Sequence, residues 1–80
     1  MAKRAEVPGL AEKLQAARQN AGLSRLKAAE RSGVHHVSIA RFETGRRVPT
    51  LTTLYRLAAA YGLPAAELLP PPPDPELRIP

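Results

Sequence analysis

Cysteine is missing from all 80 residues. This rules out a disulfide framework and a thiolate metal site, and it fits a reducing, cytoplasmic setting. No stretch reaches the ~20 apolar residues that a membrane-crossing helix needs, so no membrane association is expected. The opening MAKRAEVPG is basic but has no apolar run of the signal-peptide kind. There is no glycine-rich phosphate loop and no internal repeat. His35 and Ser38 lie three apart, yet no carboxylate nearby orients the imidazole as a hydrolytic triad requires. On a helix, the adjacent His35 and His36 would diverge by ~100°, which argues against a shared metal. Neither an enzyme nor a cofactor or metal is expected. A chain this short forms one small domain that buries only ~60% of its extended surface.

What is present centres on residues 24–47, SRLKAAERSGVHHVSIARFETGRR. Ser24 is a good N-cap, because its hydroxyl accepts from an otherwise unpaired N–H of the first turn. Ala28 and Ala29 give the helix that follows a small apolar surface. Ser32-Gly33 stops it, since Gly33 can take the left-handed conformation that ends a helix. Val34 sits in the turn. Ile39 and Phe42, three apart, set one apolar face on a second helix, and Gly45 closes it. Two short helices joined by a tight glycine turn make a helix-turn-helix. The formal charge is +5. Within residues 24–47, six basic side chains oppose Glu30 and Glu43, a local +4. Most of the excess therefore lies on the motif, as a phosphate-binding face requires.

Three segments follow from the pattern. Residues 1–8 carry Lys3, Arg4 and Glu6 without periodicity, and read as a frayed terminus or a basic arm on phosphate. Residues 9–69 form the domain. Leu10, Leu14, Ala17 and Ala21 mark one face of a first helix that Gly22 ends, and Leu23 can staple the Ser24 cap. After the break at Val48-Pro49, Thr50 can cap a helix with Leu51, Leu54, Leu57, Ala58 and Tyr61 on one face. Gly62 ends that helix, and Pro64 suits the first turn of a fifth, whose apolar residues are Leu68 and Leu69. Residues 70–80, PPPPDPELRIP, hold six of the nine prolines. Polyproline conformation is expected at 70–73, either as a stiff solvated extension or as a partner-binding arm.

The chain resembles the phage repressor/Cro-like, or XRE-type, helix-turn-helix family. The residues that carry the likeness are Gly22-Leu23-Ser24, Ala29, Ser32-Gly33-Val34, Ile39, Arg41-Phe42-Glu43 and Gly45, then Pro49, Leu51, Leu54, Leu57-Ala58 and Gly62. The resemblance implies an all-α, five-helix lambda-repressor-like domain that binds double-stranded DNA. It also implies a partly buried ion pair between Arg18 and Glu43; breaking a buried pair from one side costs ~3–5 kcal/mol. In this architecture the second helix of the motif lies in the major groove. Arg41 is then the best base reader, because a guanidinium can donate twice to guanine. His36, Val37 and Ala40 face the bases beside it. Arg25, His35, Ser38, Arg46 and Arg47 are expected on the phosphate backbone. His35 stands where the family often has a capping serine, and Arg25 replaces a usual glutamine.

Other departures are Lys27 for the glutamate of a capping box, Ala28 for a usual leucine, and apolar Leu26 where a polar residue is common. Together they suggest a weaker cap, and a rotated or repacked second helix that buries Leu26. A homodimeric repressor on a palindromic operator is the expected function. Its contact is expected at Tyr55, Leu63, Leu68 and Leu69, where apolar residues exceed what a short helix can cover. An antitoxin that holds a toxin, with the proline-rich tail as the protein-binding arm, is the alternative.

Overall fold

The computed structural model describes residues 9–69. The polyproline and basic-arm expectations fall outside these residues. Four α-helices follow in order: α1 (Leu10–Asn20), α2 (Arg25–Ser32), α3 (His36–Glu43) and α4 (Leu51–Tyr61). There is no strand among the described residues.

Each boundary has a local cause. The Ser24 hydroxyl accepts from Lys27 N–H at 3.1 Å and starts α2. The reciprocal half of a capping box is missing, because the Lys27 ammonium has no acceptor for the Ser24 N–H; it donates to Glu30 at 3.4 Å on the exposed surface. The Thr50 hydroxyl accepts from Thr53 N–H at 3.2 Å and starts α4. At the far ends, Gly33 (φ 76°) stops α2 and Gly62 (φ 76°) stops α4. Beyond Gly62, Leu63 N–H donates back to the Ala58 carbonyl at 3.0 Å, which satisfies a carbonyl of the last turn.

The core joins all four helices. Leu10 and Leu14 of α1 meet Ala28, Ile39, Phe42, Leu54, Leu57, Ala58 and Tyr61, with Leu23 and Val34 added from the turns. Helix α1 packs on α3, and α2 packs on both α3 and α4. This wedges the motif between the outer helices and fixes the angle of α3.

Four expectations need correction. The fifth helix is a single 3₁₀ turn, Ala65–Glu67. Only five residues separate Pro64 from the next proline, Pro70. That is too few to repay the nucleation of an α-helix, and the residue before a proline is steered away from helical geometry. Leu68 is only 1% exposed: it closes the core of the single chain and is unavailable as a dimer contact. Helix α2 is not rotated to bury Leu26, which stays 61% exposed while Ala28 is fully buried. Turning α2 to cover Leu26 would expose Ala28 and pull Ser24 off its cap. Finally, Leu51 and Ala21 were expected on apolar faces but are exposed, because both sit at helix ends that run past the core.

Candidate nucleic-acid interface

Helix α3 is short and two-sided. Ile39, Phe42 and Glu43 are buried. At ~100° per residue, Val37 and Arg41, one turn apart, fall on the opposite side, with Ala40 and His36 on one flank and Ser38 on the other. His36, Val37 and Arg41 are exposed, and Ala40 and Ser38 are half-buried. The expected base readers thus share one outward surface. Arg46 and Arg47, both exposed, follow the helix end directly. The Thr44 hydroxyl donates to the Ala40 carbonyl at 3.0 Å, and Arg46 N–H donates to the Arg41 carbonyl at 2.9 Å. These bonds curl the chain back on the last turn and keep the two arginines beside α3.

His35 plays a part that its position only hinted at. It is the N-cap of α3: its Nδ1 accepts from Val37 N–H at 3.1 Å. The cap engages Nδ1 and leaves Nε2 as the ring's other polar atom. Because the cap lies outside the helix, the ~100° divergence from His36 does not apply. The two rings stack, with centroids 4.7 Å apart and planes 22° from parallel. The stack lies at the leading edge of α3.

Beneath this surface lies the Arg18–Glu43 pair. Arg18 Nε donates to Glu43 Oε2 at 2.7 Å and Nη2 donates to Oε1 at 3.0 Å. Nη1 donates to the Leu23 carbonyl at 2.8 Å. One guanidinium therefore ties α1 to the end of α3 and to the turn before α2. Its pKa is raised, chiefly by the hydrogen bond to the Glu43 carboxylate, while burial works the other way. Arg25 also reaches this carboxylate: its Nε donates to Oε1 at 3.1 Å. The sequence reading assigned Arg25 to phosphate alone and missed this contact. The exchange of glutamine for a longer, charged side chain was the available signal.

The arrangement is that of a known family. The family described as "Helix-turn-helix domain" matches residues 10–70. The chain belongs to the XRE-type helix-turn-helix family. Among relatives of this helix-turn-helix domain, the HTH-type transcriptional regulator PuuR of Escherichia coli (strain K12) is 37% identical over 65 residues, which is 81% of this chain and 35% of the relative. The chain thus spans about a third of that regulator's length. Among solved structures, the restriction-modification controller protein C.AhdI from Aeromonas hydrophila superposes with a TM-score of 0.74 at 27% identity, covering 79% of this chain and 96% of that one. The DNA-binding domain of BldD superposes with a TM-score of 0.69 at 37% identity, covering 81% and 94%. No helix of this domain, among the described residues, is long and apolar enough to cross a membrane.

Proposed function

We propose that this domain binds duplex DNA sequence-specifically in the cytoplasm, as a transcriptional regulator and most simply a repressor, and that it does so by contact and not by catalysis. The observation that carries the reading is the two-sided α3. Its buried face is locked by Ile39, Phe42 and Glu43, and its outward face offers Val37 and Arg41 with Arg46 and Arg47 close behind. In this reading Arg41 reads a guanine edge, Val37 meets a thymine methyl, His36 donates to a purine and Ala40 lets the helix approach. Arg25, His35, Ser38, Arg46 and Arg47 hold phosphates.

One such helix covers only a few base pairs, so two copies act together on half-sites ~34 Å apart. The surface left for a two-fold contact is apolar: Leu51 and Tyr55, one turn apart on α4, are exposed, as is Leu69, and Leu63 is half-buried. Selection of bound duplexes from a random pool tests the whole reading. A palindromic consensus is the expected result. Recovery of no consensus would remove sequence specificity, and an asymmetric one would remove the two-fold contact.

A further inference from the structure

Glu43 is shared by two arginines, and the sharing is unequal. Arg18 occupies Oε2 at 2.7 Å and one position on Oε1 at 3.0 Å, and Arg25 Nε takes the remaining approach to Oε1 at 3.1 Å. The Glu43 side chain is 1% exposed, that of Arg18 11% and that of Arg25 39%. Arg18 has committed Nε and both terminal nitrogens to protein oxygens. Arg25 has committed only Nε. Among the described residues, its two terminal nitrogens donate to no protein acceptor. The cluster holds two guanidinium charges against one carboxylate.

We infer that Glu43 is a positioning residue for DNA binding: it holds Arg25 by Nε so that the two terminal nitrogens face one backbone phosphate. The inference rests on the DNA-binding reading and deepens it. A long arginine side chain loses much rotamer freedom when it binds. Here part of that freedom is already lost in the unbound protein, through a contact that leaves the outer edge of the fork open. The same carboxylate terminates α3. The phosphate grip at the start of α2 and the seat of the base-reading helix are therefore joined through one buried group. A glutamine at position 25, usual in the family, could accept and donate there but would bring no charge to the phosphate.

The sign of the effect separates this role from simple electrostatics. Removing a carboxylate near a polyanion should, by charge alone, tighten binding. Removing a positioning group should weaken it. The test is a double-mutant cycle of Arg25→Gln and Glu43→Gln. Duplex affinity is read by fluorescence anisotropy across a salt series, at a temperature where circular dichroism shows every variant folded. Arg25→Gln should weaken binding about tenfold and lower the magnitude of the log–log salt slope by roughly 0.9, the share of one phosphate. Glu43→Gln should weaken binding roughly three- to fivefold when Arg25 is present, and by less than about twofold in the Arg25→Gln background. Arg25→Lys does not disturb Glu43 itself and so covers the case in which Glu43→Gln fails to fold. It should keep the salt slope and lose most of the affinity, because an ammonium has no fork to share between carboxylate and phosphate. Tighter binding by Glu43→Gln, an equal loss in both backgrounds, or full affinity in Arg25→Lys would overturn the inference and leave the DNA reading intact. A wild-type protein without salt-dependent duplex binding would overturn both.

Discussion

Two residues carry the sharpest single-site expectations. Arg41 is exposed on the outward face of α3, and nothing in its own helix competes for its guanidinium. Arg41→Ala should lose ~1–3 kcal/mol on the preferred site and relax the preference at one base pair. Uniform weakening on all sequences would instead make it a phosphate contact. Tyr61 is the opposite case. It is 6% exposed, and its hydroxyl has no hydrogen-bond partner among the described residues. Burial, with the nearby Glu43 carboxylate, pushes its pKa from 10.0 up to about 12, against a smaller opposing effect of Arg18. The folded state therefore keeps this proton at pH values where the unfolded chain has lost it. The resulting stability is fully present below pH 10, and falls as pH rises towards 12. Tyr61→Phe removes an unsatisfied buried group, so it should leave neutral-pH stability equal or higher by ~1 kcal/mol. It should also flatten the alkaline limb of the melting profile. A clear loss at pH 7 would show that the hydroxyl has a water-mediated partner.

At the scale of helices, the buried ion pair ties α1 to the end of α3. Arg18→Met leaves the Glu43 carboxylate buried with only Arg25, whereas the joint change Arg18→Met with Glu43→Leu removes both charges. The single change should cost ~3–5 kcal/mol and the joint change far less. Thermal melts decide, and additive losses would mean that the pair carries no coupling. This link, like the four helices, was legible in the sequence, because caps, left-handed glycines and apolar spacing are local properties and the pair came with the family likeness. The errors arose where a distant partner decides. Leu68 looked surplus on a short helix, yet it fills the core that α1 and α4 leave open. Leu26 looked as if it needed burial, but Ala28 already occupies the contact. Arg25 looked like a surface cation until Glu43 came within reach. The His35 cap was half visible, because imidazole can do what serine does but is not a usual capping residue.

For the whole molecule, the expectation concerns the number of copies. The monomer closes its own core, since Leu68 is buried. The surface that remains is Leu51, Tyr55, Leu63 and Leu69, with exposed Leu51 in place of buried Leu68. A contact built from these few side chains is expected to be weak off DNA and reinforced on it. Sedimentation should show monomer passing to dimer in the micromolar range, shifted to monomer by Tyr55→Glu, with cooperative filling of two half-sites on DNA. A strict monomer that fills half-sites independently would remove the two-fold contact.

The glycines that end α2 and α4 have a consequence for handedness. A Cβ added at Gly33 or Gly62 would meet nothing within 4 Å, and both residues hold φ at +76°. Only the chirality of an added side chain can therefore be at fault. An L-alanine at either position should destabilise by ~1–2 kcal/mol. A D-alanine, whose preferred φ is positive, should stabilise by ~0.4–1 kcal/mol, because it stiffens the unfolded chain without strain in the folded one. An 80-residue chain without cysteine can be assembled chemically from fragments, and opposite shifts in the melting temperature of the two mirror-related variants would check the point. The ends of these two helices are places where this all-L chain is under-optimised, and where an enantiomer of alanine would serve it better than any of its own building blocks.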